Sequence, residues 1–106
     1  MRELTPDACK GYLERAAARP LLLVAREPRE VRIVHLEGSR PVPMREIPAI
    51  IETLDSQQEI IVICHHGIRS RQVARSLEHQ GFSDVVNLSG GLDAWSRHTD
   101  NSLPTY

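Results

Sequence analysis

Cys64 stands at the end of the strongest strand signal in the chain and at the head of a segment that could activate a thiol. The strand signal is Ile60-Ile61-Val62-Ile63, β-branched throughout, and the segment is Cys64-His65-His66-Gly67-Ile68-Arg69-Ser70. A thiolate is the nucleophilic form of cysteine, and helix N-termini and nearby cations stabilise it. A helix beginning near Ser70 would offer free N–H groups that favour negative charge in the preceding loop. A tight turn at Gly67 can aim successive N–H groups inward as an anion nest, and Arg69 supplies a planar cation suited to oxyanions. These residues predict a catalytic nucleophile, Cys64, beside a place for a small anionic substrate. His65, His66, Gly67, Ile68, Arg69 and Ser70 form the expected binding loop.

The competing reading is that a cysteine at a strand end is inert packing. Glycine, arginine and a helix start at the right spacing set Cys64 apart from it. Cys9 lies with Tyr12, Leu13 and Ala16 on one apolar helix face and is expected in the core. Adjacent His65 and His66 beside Cys64 could suggest a metal, but a zinc site needs three or four convergent groups. The chain has no second Cys/His cluster, so no metal is expected. Arg71 and Arg75 are four apart and read as a solvated helix face. Trp95 reads as a packing residue.

The elements that must position this loop alternate short apolar runs with amphipathic stretches, the pattern of an α/β fold with a mainly parallel sheet. Thr5 fits an N-cap, Pro6 the first helical position, and Leu4 with Cys9 a hydrophobic staple, so a first helix is expected from Pro6 to about Ala18. Leu21 to Ala25 reads as a buried strand. Residues 28 to 34 carry a poor helical signal, Ile33 to Leu36 could be extended, and Pro41 and Pro43 mark an irregular connection. Ile47, Ile50, Ile51 and Leu54 have helical spacing, which predicts a helix over Arg45 to Leu54. After Cys64 the spacing predicts a helix capped by Ser70, over 70 to 80, with Val73, Ala74 and Leu77 inward and Gly81 as its left-handed terminator. Val85-Val86 begins a last strand. Leu92 to Arg97 reads as a short helix holding Trp95, and Asn101 to Tyr106 as an irregular tail.

The chain of 106 residues fits one domain, taken as residues 1–100 followed by that tail. Its formal net charge of -1 gives no basic footprint for nucleic acid. No apolar run approaches a bilayer span and the first residues lack a signal core, so a cytoplasmic protein without membrane contact is expected. Two cysteines in a core-forming domain do not suggest a disulfide framework.

The chain resembles the rhodanese family from about Leu4 to Trp95. The resemblance is carried by Ile61 to Ser70, Val73-Ala74, Leu77, Gly81-Phe82, Val85, Asn87-Leu88, Gly90-Gly91 and Ala94-Trp95. It implies a three-layer rhodanese-like fold, with a five-stranded, mainly parallel sheet and helices on both faces. It also implies a persulfide on Cys64, cradled by the N–H groups of the loop to Arg69. The expected activity is transfer of a sulfane sulfur from thiosulfate or a similar small anionic donor to cyanide or a thiol, including a thiol on a protein, with no cofactor. The family's usual Asp-Val-Arg-Glu appears here as Val24-Ala25-Arg26-Glu27, with valine in place of the aspartate. Its Gly-His-Ile-Pro-Gly-Ala segment appears as Val34-His35-Leu36-Glu37-Gly38-Ser39. Two rival functions remain. One is a partner-binding module without chemistry, in which Cys64 would have no use. The other is a cysteine phosphatase or arsenate reductase, where phosphatases place one more residue between cysteine and arginine than the four found here.

Overall fold

The structure is a computed structural model that describes residues 1–15, 20–26, 39–64 and 67–95. Its strands are β1 (Arg2–Leu4), β2 (Leu21–Arg26), β3 (Ser39–Pro43), β4 (Ile60–Ile63) and β5 (Val85–Leu88). Its helices are α1 (Pro6–Arg15), α2 (Ile47–Ile51, preceded by a 3-10 turn over Met44–Glu46), α3 (Ile68–His79) and α4 (Gly91–Ala94). The strands form one sheet in the order β1-β5-β4-β2-β3, and every pairing is parallel. The helix and strand expected between 28 and 36, the residues beyond Trp95 and the C-terminal tail lie outside the described residues.

Alternation along the strands separates two apolar faces. Leu23 and Ala25 of β2, Ile60 and Val62 of β4 and Val85 of β5 pack with Ile47 and Ile51 of α2 and with Val73, Ala74 and Leu77 of α3. Leu22, Val24, Ile61, Ile63, Val86 and Leu88 face the other way, against Cys9 of α1 and Trp95, with Tyr12 and Leu13 alongside. Helices therefore cover both faces, and the central strands read as continuous apolar runs because both of their sides are buried.

The expected first helix starts as the residues predict. The Ala8 N–H bonds Thr5 Oγ1 at 3.3 Å and the Cys9 N–H bonds the Thr5 carbonyl at 2.8 Å. Strand β3, helix α2 and strand β1 differ from expectation, as does the start of α3 at the site. The stretch holding Pro41 and Pro43 is strand β3, not an irregular connection. Among the described residues it pairs with β2 alone, at an edge of the sheet, where prolines are tolerated. The helix expected over Arg45 to Leu54 is α only over Ile47–Ile51. Pro48 sits in its first turn, where a ring without an N–H cannot continue a helix from upstream, and a 3-10 turn precedes it. The apolar face survives the change, with Ile47 and Ile51 buried and Ile50 and Leu54 packed against them. Strand β1 was not anticipated, because three mostly exposed residues with one hydrophobe carry no periodic signal.

From the adjacent pair β2 and β4, the next strands lie in opposite directions: β3 beyond β2, and β5 beyond β4. Such a reversal opens a crevice at the carboxyl ends of the strands, where ligands bind in open α/β sheets. Cys64 is the residue that follows β4 into it.

Candidate active site

The residues of β4 are held rigidly, since Ile60 to Ile63 are all fully buried, Ile60 to Val62 are paired on both sides and Ile63 is paired with Val24 of β2. The chain then turns into α3 through Gly67, which has φ of +90° and acts as the helix N-cap. A side chain at this position would strain the backbone, and its Cβ would also lie 3.0 Å from the Gly90 nitrogen and 3.1 Å from the Leu88 carbonyl oxygen. The turn after β4 is thus pressed against the turn after β5, and only glycine fits between them.

This geometry starts α3 at Ile68, two residues before the expected start. Ser70 is therefore not the cap; it is the third helical residue. Its backbone N–H is among the first-turn donors that have no partner within the helix. That N–H points at Cys64 Sγ, 3.3 Å away, and the Gly67 N–H donates to the same sulfur at 3.0 Å. The sulfur takes the place that a capping side chain usually fills.

The Ser70 side chain, fully buried, adds a third contact. The Cys64 thiol donates to Ser70 Oγ at 3.3 Å, and the Ser70 hydroxyl donates to Oδ1 of Asn87, also fully buried. Asn87 Nδ2 donates to Glu3 Oε1 at 2.8 Å and to the Gly67 carbonyl at 3.3 Å. Glu3 also accepts from Ser89 Oγ at 2.8 Å and from Arg71 Nε at 3.0 Å. A continuous polar chain thus runs from the sulfur, through α3 and β5, to the exposed edge strand β1. Burial pushes the Glu3 carboxyl up, but the bonds from Asn87, Ser89 and Arg71 outweigh it and hold the group below the usual carboxylate range.

Of the expected loop residues, Gly67 and Ser70 meet at Cys64 through the bonds above. Arg69 occupies the first turn of α3 and is half-buried, and Ile68 is 66% exposed. His65 and His66 lie outside the described residues. Arg71, expected on a solvated face, pairs with Glu3. Sequence reasoning missed the roles of Asn87 and Glu3. Asn87 could have been found, because an asparagine among Val85, Val86 and Leu88 is a poor strand residue that needs a partner. Nothing marked Glu3.

Cys9 provides the contrast. Both cysteines are buried, 0% and 1% exposed, so burial does not distinguish them. Cys9 lies among apolar side chains, and burial pushes its thiol up to about 11. Cys64 instead has two N–H groups, from Gly67 and Ser70, aimed at its sulfur. Among the described residues no group of three or more His, Cys, Asp or Glu converges as a metal site. No described helix is long and apolar enough to cross a membrane.

Comparison with known proteins places this arrangement. The rhodanese-like domain profile matches residues 5–98. The chain is 37% identical over 82 residues to a protein named thiosulfate sulfurtransferase GlpE from Stutzerimonas stutzeri (strain A1501), covering 77% of this chain and 74% of that one. It is 40% identical over 89 residues to the Rhodanese-like/PpiC domain-containing protein 12, chloroplastic, of Arabidopsis thaliana, covering 80% of this chain but 30% of that longer protein. A crystal structure of a rhodanese-like domain protein from Staphylococcus aureus superposes with a TM-score of 0.83 at 26% identity, covering 100% of this chain and 99% of that one. The profile spans the strands, the turn at Gly67 and the helix that together hold Cys64, and on that match the chain belongs to the rhodanese-like domain family.

Proposed function

We propose that this protein is a sulfurtransferase that carries sulfur as a persulfide on Cys64. The observation that supports it most directly is the pair of N–H groups, from Gly67 and Ser70, that converge on Cys64 Sγ at the start of α3. Relatives named as thiosulfate sulfurtransferases point to the same chemistry.

The reaction is a double displacement. The Cys64 thiolate attacks the outer sulfur of thiosulfate or a similar anion, the sulfur–sulfur bond of the donor breaks, and sulfite leaves with its electron pair. Cys64 then holds the transferred sulfur as a persulfide anion. Cyanide or a thiolate attacks that outer sulfur, the new sulfur–sulfur bond breaks, and Cys64 departs as thiolate. Covalent catalysis of this kind divides one transfer into two, so donor and acceptor never meet. The loop's N–H groups stabilise negative charge at the site, as an oxyanion hole does. Arg69, on the first turn of α3, is assigned to the anionic donor. No cofactor takes part. The presence of two free thiols suits a reducing cytoplasmic setting.

The test is mass spectrometry of the intact protein. Incubation with thiosulfate adds the mass of one sulfur atom, and cyanide removes it with formation of thiocyanate. Cys64→Ser takes up no sulfur, whereas Cys9→Ser behaves as the wild type. Brief treatment with iodoacetamide labels Cys64 before Cys9. A protein that never gains sulfur from a range of donors is a scaffold without this chemistry. Turnover of p-nitrophenyl phosphate by the unmodified protein would favour the phosphatase reading instead.

A further inference from the structure

The hydroxyl of Ser70 has one proton and two neighbours that can take it. One is Cys64 Sγ and the other is Asn87 Oδ1. The Asn87 amide cannot turn over, because its NH2 group is held by two acceptors, Glu3 Oε1 and the Gly67 carbonyl. Its Oδ1 therefore faces Ser70 as an acceptor only. With Cys64 as a thiol, every member of the chain is satisfied: S–H donates to Ser70, and Ser70 donates to Asn87. With Cys64 as a thiolate the sulfur has no proton to give. The single Ser70 proton must then serve either the sulfur or Asn87, and one of them loses a buried hydrogen bond.

Sulfur loading removes this conflict. The negative charge moves to the outer sulfur of the persulfide, and the inner Sγ becomes a weak acceptor, like a thioether. The Ser70 hydroxyl can then donate to Asn87 at no loss. We infer that Asn87 is a positioning residue which, through Ser70, favours the sulfur-loaded form of Cys64 over the bare thiolate and so prolongs the loaded state. When an acceptor attacks the outer sulfur, the bond to Sγ breaks and Cys64 leaves as a thiolate. A leaving group that competes with Asn87 for its third donor leaves more slowly. The inference rests on Cys64 as the sulfur carrier, and it assigns a role to a residue outside the loop.

Among the described residues, the charged groups around this chain are Glu3 of β1, Arg71 of α3, which pairs with it, and Arg69 on the first turn of α3. Glu3 is held below the usual carboxylate range. It stays charged where thiols titrate and cannot itself produce a change there.

The experiment follows alkylation of Cys64 by iodoacetamide against pH, together with discharge of the persulfide by cyanide, in the wild type, Asn87→Ala, Ser70→Ala and the double variant. Asn87→Ala frees the Ser70 hydroxyl for the thiolate. Its alkylation profile moves to lower pH and its persulfide discharges about three- to tenfold faster, the size of one neutral hydrogen bond. In the Ser70→Ala background the Asn87 substitution has no further effect on either reading. Asn87→Thr, a residue suited to strands but too short to reach Ser70, gives the same result and serves if the alanine variant does not fold. Glu3→Ala, on the exposed strand β1, leaves the Asn87 amide less firmly held and shifts the profile in the same direction by a smaller amount. An unshifted profile in the folded variants, or a shift that persists without the Ser70 hydroxyl, overturns the inference. The alkylation arm requires no sulfur transfer. A protein that never loads sulfur therefore refutes the proposed function, while an unmoved alkylation profile refutes only the role of Asn87.

Discussion

At Gly67 two constraints fall on one residue, a left-handed φ of +90° and backbone neighbours at 3.0 and 3.1 Å from where a Cβ would stand. Gly67→Ala must bear the left-handed conformation, about 1–2 kcal/mol for an L-residue, and must also push the Leu88–Gly90 turn aside. The expected outcome is a lower urea midpoint together with loss of sulfur uptake, because the Gly67 N–H that faces the sulfur moves with the turn. Full uptake in this variant would separate the turn from the chemistry. The sequence made this glycine legible, since a glycine between a cysteine and an arginine after a β-branched run has few other uses. It did not make Ser70 legible. A serine near a helix start reads as a cap, and only the observed turn shows that the helix begins earlier and that the side chain is turned inward to Asn87.

Helix α1 is tied down from both sides. Its Cys9 enters the core, and its Tyr12 donates to Glu59, which also receives Arg2 Nη2 at 2.8 Å. The buried Cys9 thiol resists ionisation up to about 11, against 9.0 for an ordinary one. Between these values the unfolded chain has lost the proton that the folded chain keeps, so stability falls as pH rises through that window, by on the order of 2 kcal/mol. Cys9→Ala should flatten this decline, as followed by thermal melts between pH 8 and 11. A slope equal to that of the wild type would mean that Cys9 is not the group responsible. Elements of this kind were legible when both faces were buried or one face was strictly periodic, as in β2, β4 and α3. Helix α2 was legible by its apolar face but not by its start, because Pro48 in the first turn keeps the helix from beginning as early as periodicity alone suggests. The edge strands were lost for physical reasons: β3 has prolines that only an edge tolerates, and β1 has almost no buried surface to leave a pattern.

The molecule as a whole is divided by its sheet into two apolar compartments, and Val24, which stands at the position of the family's usual aspartate, falls inside one of them. Val24 is 2% exposed and lies in the compartment of Cys9, Leu22, Ile61, Ile63 and Trp95, not in the one that α3 covers. A carboxylate there would be buried among apolar groups, and an unpaired buried charge is strongly destabilising. Val24→Asp, which restores the family's usual residue, should therefore lower stability by roughly 3 kcal/mol or more in urea titration without raising the rate of sulfur transfer. A neutral effect on stability would show that other residues here still provide for the aspartate.

Strand β1 shields one side of β5 and places Glu3 against Asn87. The half of the molecule that holds Cys64 therefore depends on residues 1–4, far from it in sequence. A vector that trims or fuses through this segment would do more than alter a terminus. It would bare the β5 backbone as a sticky edge for a neighbouring chain and release the amide that steadies Ser70. Preparations differing only in this segment would then differ in solubility and in the reactivity of Cys64 together, a variation easily misread as a fault of the preparation.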